Sequence, residues 1–307
     1  MKPLFDRLVR FKDAEGNDLY GEAPPDVDSL VGREVAVYAG DMPWDLQRTN
    51  QSAKIVEVNP RIPSPRLTSM LTTASQVLCP LAHTPIIYGV GLNYKAHIAE
   101  GPKAHEPPPP YPVIFTKPPD ALNGPYSTVV VNPQCSDTMD YEGELTIVLG
   151  RDCKDITTPA DAFNVILGYT IGNDVSCRQW QRPDISGHQH GYAKSFDGFA
   201  PLGPVLVSSA LVPADISSGR VDLELVTRVN GEERQRGRTG HMIFNIADII
   251  MHLSRATTLR AGTVIMTGTP EGVALSMKPP GWVQDGDEVE VSIKGIGSIK
   301  NKHVLLS

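Results

Sequence analysis

Short stretches in which apolar and polar residues alternate dominate the N-terminal part of the chain, and the turn residues between them predict strands rather than helices. Residues 4–11 and 19–22 read as two strands around the turn-rich Asp13-Ala14-Glu15-Gly16-Asn17-Asp18, with 34–39 and 54–58 as two more. Pro60, Pro63 and Pro65 oppose both helix and central strand, so they mark the exit from this segment. The expectation is a small N-terminal β-rich module over residues 1–80 and a larger domain over 81–307.

Beyond residue 85 the apolar runs lengthen. Ile86-Ile87-Tyr88-Gly89-Val90-Gly91 reads as a buried strand and residues 92–100 as a short helix, followed by a stiff polyproline-like loop over 101–112. Residues 112–117 and 127–131 read as strands, and 158–166 as a helix with Pro159 in its first turn. Residues 221–229 alternate cleanly and meet Asn230-Gly231, the strongest hairpin pattern in the chain, with 232–238 as partner. Asn245 and Asp248 resemble an N-cap pair opening a helix to about residue 256, whose apolar stripe is Ile246, Ile249, Ile250 and Leu253. Residues 264–267 enter the small-residue turn Gly268-Thr269-Pro270-Glu271-Gly272, and the last strand is 288–293. The fold class expected is α+β, mainly β.

The two longest-range hints lie between these elements. In Asp140-Tyr141-Glu142-Gly143-Glu144-Leu145-Thr146-Ile147-Val148-Leu149, the strand period of two puts Glu142, Glu144, Thr146 and Val148 on one face and Leu145, Ile147 and Leu149 on the other. Two converging carboxylates repel unless something positive lies between them, most simply a metal ion. Asp174 ends another short β-prone run, and three oxygen donors without a nearby Cys or His suit a hard cation, Mg²⁺ or Mn²⁺ before Ca²⁺. The competing reading makes Glu142 and Glu144 the solvated face of an edge strand.

His97 and Glu100, three apart on the expected helix, form either a proton-transfer pair or a surface pair. Asp174, Arg178 and Gln181 would share one face of a helical turn, where Arg178 either binds a substrate carboxylate or makes an ordinary bridge to Asp174. Lys194 could stabilise a developing enolate. His188 and His190, among glycines and a proline, read as a loop rather than a ligand set.

Composition narrows the class without changing this picture. At 307 residues, 40% hydrophobic and 21% charged, the chain can bury a substantial core and carries no apolar run of membrane-spanning length. A net charge of -7 with no basic run argues against nucleic acid as a partner. Cys79, Cys135, Cys153 and Cys177 contain no Cys-x-x-Cys pair, so neither a zinc site nor a disulfide framework is indicated and a reducing compartment fits. The first residues lack the apolar core of a signal peptide and soon carry acids. The expected location is therefore cytoplasmic, with a mitochondrial one left open.

Together these stretches resemble the fumarylacetoacetate hydrolase family over roughly residues 84–304. The matching pieces are Gly91-Leu92-Asn93-Tyr94 with His97 and Glu100, Glu142-x-Glu144-Leu145, Asp174-x-x-x-Arg178-x-x-Gln181, Lys194-x-Phe196-Asp197 with Pro201-x-Gly203-Pro204, and Gly268-Thr269-Pro270-x-Gly272. Within the family the likeness is greatest to the domain-containing type 2 branch, associated with oxaloacetate, through Trp180-Gln181 and Phe196-Asp197-x-Phe199. The chain departs from the commonest pattern at Gln179 and in the long proline loop, both near where substrate would sit.

The resemblance implies a mixed β-sandwich roll, a homodimer, and Mg²⁺ or Mn²⁺ held by Glu142, Glu144 and Asp174. It further implies His97, Glu100 and Lys194 in catalysis, and Tyr94, Lys117, Arg178, Gln181 and Thr269 around a small 2-oxo or 1,3-dicarbonyl acid. The activity expected first is hydrolysis of a carbon–carbon bond in an acylpyruvate or related diketo acid through a metal-stabilised enolate. The alternatives are decarboxylation or enol–keto tautomerisation of oxaloacetate, and a family member that binds metal but is inactive.

Overall fold

A computed structural model describes residues 3–27, 29–56, 77–101 and 104–306. The expected module exit at 59–65, and part of the strand expected at 54–58, lie outside the described residues. Two sheets carry the fold. In the larger, neighbouring strands run in the order Gln47–Lys54, Glu34–Ala39, Asp18–Glu22, Arg7–Lys12, Ala200–Ser208, Ile166–Asn173, Gly143–Leu149, Val264–Met266, Ile87–Gly91 and Val113–Lys117. The smaller runs Glu232–Arg238, Glu224–Val229, Glu288–Ile293, Gly297–Leu305, Val129–Val131. Parallel pairing of Val264–Met266 with Ile87–Gly91, and of Gly297–Leu305 with Val129–Val131, makes both sheets mixed. The α+β, mainly β expectation is met.

The period of two explains why Gly143–Leu149 lies at the centre. Leu145, Ile147 and Leu149 join Leu225, Val289, Val291 and Ile299 in the core between the sheets, while Val148 packs with Leu202, Leu206 and Met266 on the other face. The helices are short and local. Ile246–Leu253 starts at a reciprocal capping box between Asn245 and Asp248 and buries Ile246, Ile249, Ile250 and Leu253, as its stripe requires. Glu224–Val229 and Glu232–Arg238 form the hairpin expected around Asn230-Gly231. Of the strand expected at 54–58, Lys54 ends the strand Gln47–Lys54, which pairs with Glu34–Ala39 and has mostly exposed side chains and so no apolar alternation to read, while Ile55 and Val56 lie beyond it. Among the described residues no helix is long and apolar enough to cross a membrane.

One strand escapes the hydrophobic pattern. Gly297–Leu305 follows the strand expected to be last, and its inward positions include Asn301 and His303, both fully buried. Burial drives the His303 pKa down from 6.5 to about 4, and the backbone of Asn301 and the charge of Asp287 offset this only in part. The folded protein therefore keeps His303 neutral where the unfolded chain is protonated. Its contribution is complete above pH 6.5 and is lost as pH falls to about 4. Over that interval wild type should lose about 3 kcal/mol of unfolding free energy relative to His303→Leu in denaturant titrations. Parallel pH curves for the two proteins would refute this assignment.

Candidate metal centre and acid–base site

The central strand is paired on both sides, antiparallel to Ile166–Asn173 and to Val264–Met266, and every one of its residues is buried. Glu142 is 6% exposed and Glu144 1%, so the solvated-edge alternative does not hold. Gly143 between them is required by sheet packing, since a Cβ there would come 2.3 Å from Thr227 Oγ1. Asp174 follows the neighbouring strand, and its N–H donates to the Glu142 carbonyl at 2.9 Å. One oxygen each of Glu142, Glu144 and Asp174 lie within 4.8 Å of one another.

Three cations surround this cluster. The Lys194 ammonium donates to Glu142 Oε2 at 2.9 Å, Asp174 Oδ2 at 2.5 Å and Ser176 Oγ at 2.7 Å, and lies 4.8 Å from the centre of the Phe115 ring. Lys117 donates to Asp174 Oδ1 and, at 3.3 Å, to the Val175 carbonyl. Arg178 reaches Asp140 Oδ2 through Nε at 2.8 Å, Glu142 Oε1 through Nη2 at 2.5 Å and Gln181 Oε1 through Nη1 at 2.8 Å. Asp140 is itself held by the N–H groups of Tyr141, Ala274 and Leu275.

Burial alone would raise the Glu142 carboxyl, but Lys194 and Arg178 overcome it and hold the group below the usual carboxylate range. Glu144 goes the other way. Burial first, then the charges of Asp174 and Glu142, push it well above that range, against the opposing effects of Lys194 and of the Gly268 N–H, 2.7 Å from Oε2. Among the described residues Glu144 has no ion pair at all. Three buried, converging oxygen donors with one anion unpaired fit a hard divalent cation and leave little reason for the cluster without one.

The expected helical turn through Asp174 is corrected. The chain passes instead through the bridge strand Ser176–Cys177, paired with Met139–Asp140, before a 3-10 turn over Arg178–Gln181. Asp174 therefore pairs with the two lysines and Arg178 with Asp140 and Glu142, not with each other. The pairing with Met139–Asp140 takes precedence over helical spacing here.

His97 Nδ1 lies 2.7 Å from Glu100 Oε1 on the helix Lys95–Glu100, and Glu100 Oε2 accepts the Gly272 N–H at 2.7 Å. The pair is therefore docked, not a free surface couple. Gly272 has φ +102°, and a Cβ there would come 1.9 Å from the Arg234 carbonyl oxygen, so no other residue fits this anchor. Thr269 Oγ1 donates to the Gly143 carbonyl at 3.0 Å and accepts from Gln235 Nε2 at 2.8 Å.

These groups meet at a cavity of about 400 Å³ whose wall includes His97, Glu142, Arg178, Gln181, Lys194 and Thr269, with Ile98, Phe115, Val273 and Leu275 as its apolar part. Gln181 Nε2 is buried with no partner among the described residues. Five expected site residues do not line the cavity: Glu144 and Asp174 lie behind Glu142 in the acid cluster, Glu100 meets the cavity only through His97, and Tyr94 and Lys117 are set back from it. Tyr94 is buried beside Met242, and Lys117 lies behind the wall, reaching the cluster through Asp174. Sequence reasoning missed Asp140, which orients Arg178, although it opened the acidic run. It also set aside His188 and His190, which lie in a loop as expected but line the cavity.

A family model described as fumarylacetoacetate (FAA) hydrolase C-terminal matches residues 86–304. The human protein described as oxaloacetate tautomerase FAHD2A, mitochondrial, is 40% identical over 227 residues, 74% of this chain and 69% of its own. A crystal structure described as 5-carboxymethyl-2-hydroxymuconate delta-isomerase from Mycobacterium smegmatis superposes with a TM-score of 0.74 at 35% identity, covering 98% of this chain and 100% of that one. A fumarylacetoacetate hydrolase from psychrophilic Exiguobacterium antarcticum gives 0.71 at 32% identity, covering 98% and 99%.

Proposed function

The chain belongs to the fumarylacetoacetate hydrolase family, and we propose that it catalyses enol–keto tautomerisation of a 2-oxo dicarboxylic acid of the oxaloacetate type. The observation that carries this reading is the docked His97–Glu100 pair, with His97 on the wall of a cavity that Glu142 of the acid cluster also lines. The human relative described as an oxaloacetate tautomerase supports it. So does the solved delta-isomerase, whose name also describes an isomerisation.

A divalent cation, Mg²⁺ or Mn²⁺, held by Glu142, Glu144 and Asp174 would supply Lewis acidity that makes the hydrogens beside the 2-oxo group easier to remove. The chain's own residues do the rest. With Nδ1 engaged by Glu100, Nε2 of His97 is the nitrogen that exchanges a proton with substrate carbon. Gln181 Nε2 offers a hydrogen bond to a substrate oxygen, and Arg178, Arg182 and Lys194 make the wall suited to a dianion. The apolar side chains of Ile98, Phe115, Val273 and Leu275 limit the water around the exchanging proton.

Hydrolysis of an acylpyruvate is the second reading, favoured by the same imidazole, which could deprotonate water, and by the solved fumarylacetoacetate hydrolase. A panel of enol-oxaloacetate, acetylpyruvate and fumarylpyruvate with Mg²⁺, followed by ultraviolet absorbance and product analysis, tests both. Tautomerisation accelerated on oxaloacetate with no pyruvate released from the other two is the expected result. Cleavage of acetylpyruvate with oxaloacetate untouched would replace the proposal by the second reading, and no turnover on any of the three would count against both.

A further inference from the structure

The fold brings together two cysteines that the sequence leaves unconnected. Cys177 closes the bridge strand Ser176–Cys177, directly opposite Met139, and this pairing lays the segment 132–138 over it. Cys135 and Cys177 are both free, buried in the same core cluster, and close enough for their thiols to interact. Cys177 Sγ also lies 3.9 Å from the Gln134 carbonyl oxygen and 4.0 Å from Thr138 Oγ1. The Gln179 N–H, at the start of the 3-10 turn, donates to Thr138 Oγ1 at 3.0 Å, and with the Trp180 N–H it lies close to the same sulfur.

The two thiols are unequal. The Cys135 thiol, with Thr138 and the two backbone N–H groups, outweighs burial and lowers the Cys177 pKa, whereas the Cys177 thiol and then burial raise Cys135. One sulfur is thus prepared as nucleophile and its neighbour stands in contact as the resolving thiol. Both are fully buried, but Pro133, Gln134 and Asp137 around Cys135 are exposed, so only a thin loop separates the pair from solvent.

We propose that Cys135 and Cys177 form a reversible disulfide in response to hydrogen peroxide, and that this bond draws Arg178 away from Asp140 and Glu142. The Cys177 thiol gives up its proton, its thiolate attacks one peroxide oxygen, the O–O bond breaks, and the departing hydroxide takes up that proton as water, leaving a sulfenic acid on Cys177. The Cys135 sulfur then attacks the Cys177 sulfur, the S–O bond breaks, and the leaving hydroxide departs as water with the Cys135 proton. Two thiols lose two electrons and two protons, and one peroxide becomes two waters. Arg178 feels the change because it is the next residue, and it reaches Asp140 and Glu142 from that position.

The test uses the full chain treated with hydrogen peroxide, denatured in iodoacetamide, digested without reductant and analysed by mass spectrometry. The expected product is a peptide pair joining Cys135 to Cys177, abolished by dithiothreitol, with Cys79 and Cys153 alkylated. In Cys135→Ser the linked pair is absent and dimedone labels Cys177. Mn²⁺ titration of the oxidised protein should show a Kd raised about tenfold or more, restored by dithiothreitol, since Arg178 orients a metal-cluster carboxylate. Preferential oxidation of the more exposed Cys153, with Cys135 and Cys177 both alkylated, would overturn the disulfide. A linked pair with unchanged Mn²⁺ affinity would overturn its coupling to Arg178.

Discussion

Glu144→Gln should abolish high-affinity Mg²⁺ binding while making the metal-free protein no less stable than wild type. Removing groups that merely orient metal ligands costs about 10–100-fold in affinity, so loss of a ligand charge here should exceed about 100-fold. The amide oxygen still accepts the Gly268 N–H, so the local fold is kept, and the buried carboxylate without an ion partner disappears. The pH dependence follows from the same residue. Because the Glu144 pKa is raised, a proton competes with the cation for it as pH falls, and wild-type affinity should weaken toward acid. Calorimetric titrations at two pH values, with thermal melts of the metal-free proteins, read all three effects. Equal Mg²⁺ affinity in wild type and variant would remove Glu144 from the cluster's function.

His97→Ala should lower tautomerisation of oxaloacetate by about 10²-fold or more with Mg²⁺ affinity unchanged. Among the described residues the imidazole hydrogen-bonds to Glu100 alone, so its deletion leaves the three acids and their lysine and arginine hydrogen bonds in place. Steady-state rates with a parallel metal titration separate proton transfer from metal loss. Turnover equal to wild type would return His97 and Glu100 to a purely packing role.

Local periodicity explains what could be read in advance. Glu142 and Glu144 share a face because a strand repeats every two residues, and Asn230-Gly231 and the Asn245/Asp248 cap carry their conformations within a few positions. Charges whose partners come from distant strands were not legible. Spacing suggests that Asp174 and Arg178 bridge each other, yet Asp174 takes Lys117 and Lys194 while Arg178 takes Asp140 and Glu142. The strand Gly297–Leu305 hid for another reason: Asn301 and His303 occupy inward positions where apolar residues would have revealed the alternation. Contact between Cys135 and Cys177 likewise depends on a two-residue bridge that no composition rule anticipates.

The turn through Gly268 and Gly272 fixes more than its own shape. Thr267 and Thr269 fasten it to the Leu145 and Gly143 carbonyls, Gly268 grips Glu144, and Gly272 grips Glu100. The helix bearing His97 has six residues and no side-chain N-cap bond, so it has little intrinsic means of holding an imidazole in place. Its alignment is borrowed from the turn, which serves as a common datum for the His97–Glu100 pair and the carboxylate cluster. On the proposed function, side chains elsewhere on the cavity wall can be exchanged while His97 and the acid cluster keep their alignment, whereas any side chain at Gly272 would meet the Arg234 carbonyl and disturb the anchor of Glu100.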